Sequence, residues 1–119
     1  RLENAYVGLL DVAERVGHWA QLAWPVLDSD PPRPVPELPP LAEQAHTEAL
    51  VRAFGSDKVL DRMKTWRDIV RTMRALDIQI RAADGGQPDA RRDFDGLRAQ
   101  EVVAREALGD QVAVDLGHR

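Results

Sequence analysis

DKVLDRMKTWRDIVRTMRALDIQIRAA, residues 57–83, is the stretch on which the fold class turns. Val59, Met63, Trp66, Val70, Met73 and Ile80 fall in heptad-like register, with Leu60, Ile69 and Leu76 beside them, and that period gathers them on one face of an α-helix. A half-buried strand would need strict alternation instead. At a rise of 1.5 Å per residue the helix is about 40 Å long. Its apolar face is the widest in the chain, which predicts that it is the central helix.

Working outward from both ends, the neighbours are helical too. Ser56 precedes the stretch as an N-cap, Asp57 lies in the first turn where a negative charge suits the helix dipole, and Gly55 suits a left-handed stop for a helix before it. That second helix spans 41–54, with Leu41, Ala45, Ala49 and either Ala53 or Phe54 inward. The Gly55-Ser56 link is so tight that helices two and three form a corner or hairpin. Downstream, Asp84-Gly-Gly-Gln-Pro88 ends helix three, and Pro88 fits the first turn of a fourth helix over 88–108 with Ala90, Phe94, Leu97, Ala104 and Leu108 inward. So short a connection makes three and four antiparallel. Residues 109–119 are expected to fray, with Val112, Val114 and Leu116 available to pack back.

Seven of the eight prolines lie in 25–40, a density that forbids helix or central strand and marks a stiff crossover linker. Its Pro31-x-x-Pro34 and Pro36-x-x-Pro39 spacings are weak as docking motifs. The first helix spans 2–24, with Leu2, Tyr6, Leu9, Ala13, Val16, Ala20 and Ala23 on one stripe and Val12, Trp19 and Trp24 off it or at its margin. This second apolar side needs a neighbouring helix or a partner molecule. The fold class is therefore all-α, an antiparallel bundle of about four helices with a long proline-rich crossover, in one domain over 1–119.

Composition narrows function by exclusion. There are no cysteines, so no disulfide framework, thiol nucleophile or thiolate metal site can exist. A net charge of −4 gives no global attraction to nucleic acid, and no nucleic-acid partner is expected. No apolar run approaches the roughly 20 residues that span a bilayer. All basic residues but Lys58 and Lys64 are arginines, in keeping with a GC-rich genome.

Four constellations carry chemistry worth weighing. Lys64, Arg67, Arg71, Arg74 and Arg81 form a basic strip beside the apolar face of helix three, in a segment, 51–82, of net charge +4. The strip is the candidate binding surface for phosphate or nucleic acid, set against the plainer reading that it faces acids on neighbouring helices such as Glu3, Glu14, Glu43, Glu48, Glu101 and Glu106. Asp77 and Glu101 fall on the inward stripes of helices three and four as polar exceptions in the core, either each paired with an arginine or lining a small-ligand notch. In an antiparallel hairpin they are not level, which argues against a paired acid/base site. Glu43-x-x-His46 has the spacing of one arm of a di-metal carboxylate site, and Glu14 with His18 is a further i, i+4 pair, but a complete site needs two such arms; no metal and no cofactor are expected. Hydroxyls are few (Ser29, Ser56, Thr47, Thr65, Thr72, Tyr6), and none stands in a nucleophile context.

Ala5-Tyr-Val-Gly-Leu-Leu10 and Leu50-Val-Arg-Ala-Phe-Gly-Ser-Asp-Lys-Val59, with Trp66 downstream, resemble small uncharacterised helical proteins of high-GC bacteria. In these an N-terminal membrane helix precedes a soluble helical domain. The resemblance implies a membrane anchor in residues before Arg1, from which helix one continues; the expected location is a membrane-anchored protein with this domain in the cytoplasm. It implies no activity and no site residues. The chain opens at Arg1 directly on an amphipathic pattern, in keeping with a cut from a longer protein.

Together these readings point to a non-enzymatic helical interaction or assembly module that shows a helix face to a protein partner or to itself. The alternative is a small-ligand sensor with its pocket between helices one and three near Trp19 or Trp66.

Overall fold

The computed structural model describes residues 1–27, 35–84 and 87–117. It is all-α, with four helices in the described residues: α1 Leu2–Leu27, α2 Leu41–Phe54, α3 Asp57–Ala82 and α4 Pro88–Asp115. α3 packs along α4, and α1 touches α2, α4 and, less closely, α3. The central helix is thus α1 and not α3. Ala5, Tyr6, Leu9, Val12, Ala13, Val16, Trp19, Ala20, Ala23 and Trp24 are all buried, so α1 buries a wide face and leaves one stripe, with Glu3, Asp11, Glu14 and His18, in solvent. α3 keeps a wide but one-sided face, with Val70 and Leu76 only half-buried and Ile78 out in solvent.

The second side of α1 is therefore used inside the fold. Val12 joins a cluster with Val51 and Met63, and Trp19 meets Phe94 edge-on, ring centroids 5.8 Å apart. Val12, Trp19 and Trp24, the residues off the main stripe, are buried inside the fold, and of the large apolar side chains of α1 Val7 and Leu22 are exposed. The core has two parts: one of Tyr6, Leu9, Val16, Val59, Trp66 and Leu108, the other of Trp19, Trp24, Met73, Ile80 and Phe94, with Leu38 and Ile69 packed against both.

Helix boundaries differ from expectation in two places. α1 continues to Leu27 although Pro25 follows Trp24, so the linker is shorter at its start; 28–34 lie outside the described residues, and 35–40 are non-helical. α4 runs seven residues past Leu108, because Leu108 and Val112 are buried one turn apart and outweigh the helix penalty of Gly109. The expected fraying over 109–119 is thus wrong as far as Asp115; residues 118–119 are outside the description.

The α2–α3 corner shows why Gly55 is needed, and the reason is not a left-handed backbone. Its φ of −79° and ψ of 162° are open to any residue. A Cβ there would sit 2.6 Å from the Val51 carbonyl oxygen and 3.3 Å from the Tyr6 ring. Ser56 caps α3 as expected, accepting from the Val59 N–H at 3.2 Å. The same hydroxyl donates to Asp115, whose carboxylate also accepts from the Tyr6 hydroxyl at 2.8 Å, while the Ser56 N–H donates to the Tyr6 oxygen at 3.0 Å. The start of α1, the corner and the end of α4 are tied in one polar knot.

α2 is rotated from its expected setting. Leu41, Ala45 and Ala49 face solvent, as do Ala53 and Phe54; Thr47 and Val51 are the buried pair. The reason lies in its polar neighbours. With Thr47 and Val51 inward, the adjoining Gln44 donates to the Pro39 carbonyl at 2.8 Å and Glu48 pairs with Arg67.

Candidate functional site

Glu101 lies on α4 between Phe94 of one core cluster and Ala104 of the other, and its side chain is fully buried. Four donors meet it there. Trp66 Nε1 and Arg105 Nε donate to Oε2, each at 2.8 Å, and Gln21 Nε2 and Arg105 Nη2 donate to Oε1 at 3.0 and 3.1 Å. Arg105 is thereby a bidentate fork. Gly17 makes room for it, since a Cβ on residue 17 would stand 2.4 Å from Arg105 Nε. Burial pulls the Arg105 pKa down, and the hydrogen bonds and charges of Glu101 and Glu14 more than reverse this, leaving it raised. Every oxygen of the carboxylate is satisfied, and helices α1, α3 and α4 are joined through it. It is a structural cradle, not a free acid.

Asp77 is equally buried, and accepts from Arg74 at 3.0 Å and Arg81 at 2.9 Å. It stands eleven residues along α3 from Trp66, the indole that holds Glu101, a separation of about 16 Å. The two carboxylates are on different levels, and each has the arginine partners that burial requires. Arg81 also lies over the Trp24 ring, 5.6 Å from its centroid, with Arg91 at 5.8 Å.

The basic strip divides. Arg67 pairs with Glu48 across to α2, as a strip facing acids would, and Arg74 and Arg81 share Asp77 of their own helix. Lys64 and Arg71 are exposed, with no acid within ion-pair distance among the described residues. Arg67, Arg71 and Arg74 line one cleft of about 330 Å³ between α2 and α3. Lys64 and Arg81 do not reach it. Trp66 stands in its wall, and a further opening of about 360 Å³ is lined by Trp19 of α1, Leu38, and Arg74 and Arg81 of α3, so open space borders both tryptophans. A hole of only about 40 Å³ separates α1, α2 and α3 beside Trp66.

Another opening is a groove of about 460 Å³ on the outer side of α3 and α4. Arg62, Thr65 and Ile69 form its α3 side, with Ala99, Gln100, Val103, Ala104 and Ala107 on the α4 side. Val103 is 66 % exposed within it. Sequence reading missed this surface, because Val103 lies off the inward stripe and an isolated apolar residue on a polar face carries no signal by itself. The spacing Ala99, Val103, Ala107 was visible, and it is what keeps the groove shallow-walled and apolar.

His18 and His46 are exposed, and among the described residues no three His, Asp or Glu side chains gather as metal ligands. No described helix is long and apolar enough to cross a membrane. Comparison of the chain with protein-family models, with curated proteins and with solved structures finds no match.

Proposed function

We propose that this chain is a non-enzymatic helical assembly module in which two copies meet along the outer face of α4. The observation that carries this is the apolar α3/α4 groove, with Val103 standing two-thirds exposed between Ala99 and Ala107. A two-fold contact requires one patch to complement itself. Antiparallel α4 helices centred on Val103 set Ala99 against Ala107 of the second copy at both ends, and small side chains there let the helices approach closely. α4 is 28 residues long, about 42 Å, which is ample for an interface of ordinary size. The most reactive groups support the reading by being committed elsewhere, since Glu101, Asp77 and Asp115 are each held in structural hydrogen bonds.

Sedimentation equilibrium tests it with the wild type and Val103→Glu, which buries a charge at the centre of the contact and touches no core residue. The wild type is expected as a dimer in the micromolar range and the variant as a monomer with an unchanged melting temperature. A wild-type monomer at every concentration, or a Val103→Glu dimer as tight as the wild type, rejects the proposal.

A further inference from the structure

The cleft between α2 and α3 has a chemistry the assembly reading does not use. Its wall is apolar, with Leu38 and Leu41 on one side and Trp66 and Val70 on the other. Leu41 is 82 % exposed there, the most exposed large apolar side chain among the described residues. Its rim is cationic in a specific way. Arg67 is balanced by Glu48, but Arg74 and Arg81 have one carboxylate, Asp77, between them, and Arg71 has none. Within the cleft Arg67 is paired with Glu48 and Arg74 with Asp77, so the apolar trough ends on one uncompensated guanidinium, that of Arg71. A volume of about 330 Å³ is at the lower end for ligand sites, too small for a docked helix 10–12 Å across.

We infer that this cleft binds a single-tailed aliphatic carboxylate, with the tail along Leu41, Trp66 and Val70 and the head on Arg71. A guanidinium takes a carboxylate through two parallel hydrogen bonds, and Arg71 is free to do so. Each methylene removed from water on the apolar wall adds about fourfold in affinity. Neither half suffices alone: acetate has no tail, and a fatty alcohol gives Arg71 no charge. Lys64 and Arg81, outside the cleft, take no part.

The probe is decanoate below its micellar range, titrated into the isotope-labelled full chain while the three tryptophan indole N–H resonances are followed. The Trp66 resonance is expected to shift saturably while those of Trp19 and Trp24 stay in place. Decanol and acetate are expected to bind at least about tenfold more weakly than decanoate. Arg71→Gln, at an exposed position that leaves the core intact, lowers decanoate affinity about tenfold with no change in melting temperature. Leu41→Ser lowers it without affecting dimer mass, so this site and the α4 contact fail or stand separately. Equal shifts at all three indoles, a shift at Trp24 in place of Trp66, decanol binding as well as decanoate, or Arg71→Gln titrating like the wild type each overturn the inference.

Discussion

Replacing Glu101 by Gln keeps the side chain's shape and removes its charge, and the geometry of the cradle fixes the consequence. Each Glu101 oxygen accepts two donors, Trp66 and Arg105 Nε at one, Gln21 and Arg105 Nη2 at the other. Whichever way a glutamine amide turns, its NH2 faces two donors and accepts from neither. Two buried donors lose their acceptor, and the Arg105 guanidinium, with a side chain only 19 % exposed, loses its counter-charge. Breaking a buried pair from one side costs about 3–5 kcal/mol. A domain of this size has about 5–15 kcal/mol in total, so the variant folds but sits near the edge. Urea unfolding followed by circular dichroism measures the difference, with the slope m checked for two-state behaviour. Arg105→Gln alone and the double variant complete a cycle in which the coupling is expected to reach about 2 kcal/mol or more. A loss below about 1 kcal/mol for Glu101→Gln, or strict additivity in the cycle, refutes the claim that this carboxylate joins the three helices.

Other consequences are smaller and as direct. Gly55→Ala pushes a methyl against the Val51 carbonyl and the Tyr6 ring, and is expected to destabilise by about 2 kcal/mol in the same assay; a neutral substitution removes the steric account of the corner. The hydroxyls of Ser56 and Tyr6 hold Asp115 below the ordinary carboxylate range against the opposing effect of burial, with Gln111 and Lys58 adding lesser contributions. A group whose pKa is lowered on folding stabilises above its unfolded value, about pH 3.9, and that stabilisation disappears as the pH falls through the lower folded value. Thermal melts from pH 6 to pH 2.5 are therefore expected to fall more steeply for the wild type than for Asp115→Asn, and parallel curves contradict the knot.

The sequence made the long-period features plain and hid the long-range ones. α3 was readable to within a residue because its apolar spacing, its Ser56 cap and the Asp84–Pro88 break all agree. The same stripes placed Asp77 and Glu101 inward, and the i, i+4 spacing of Glu101 and Arg105 hinted at a pair. Nothing local could show that Trp66 and Gln21 complete the cradle, since they lie 35 and 80 residues away. α2 misled because its Leu41-Ala45-Ala49 stripe is more apolar than the Thr47-Val51 side that the fold buries. There the packing demands of α1 and α3, with the reach of Gln44 and Glu48, outweighed the hydrophobic pattern of a 14-residue helix. α4 misled at Gly109, where propensity says stop and two buried side chains, Leu108 and Val112, say continue. On the second side of α1 the sequence leaves a neighbouring helix and a partner molecule both open, because Val51 and Phe94 belong to other helices and only the folded chain brings them close.

The outer side of α4 is an apolar surface that those faces do not use, and the claim that two copies meet there admits a direct measurement. The chain has no cysteine, so Val103→Cys introduces a single thiol at the centre of the proposed two-fold contact. A disulfide can close only where two Cα atoms come within about 7 Å. Under mild oxidation the account predicts a covalent dimer of Val103→Cys, while Ile78→Cys, exposed on α3 away from the groove, stays monomeric. A Val103→Cys chain that remains monomeric, or crosslinks no faster than Ile78→Cys, contradicts it.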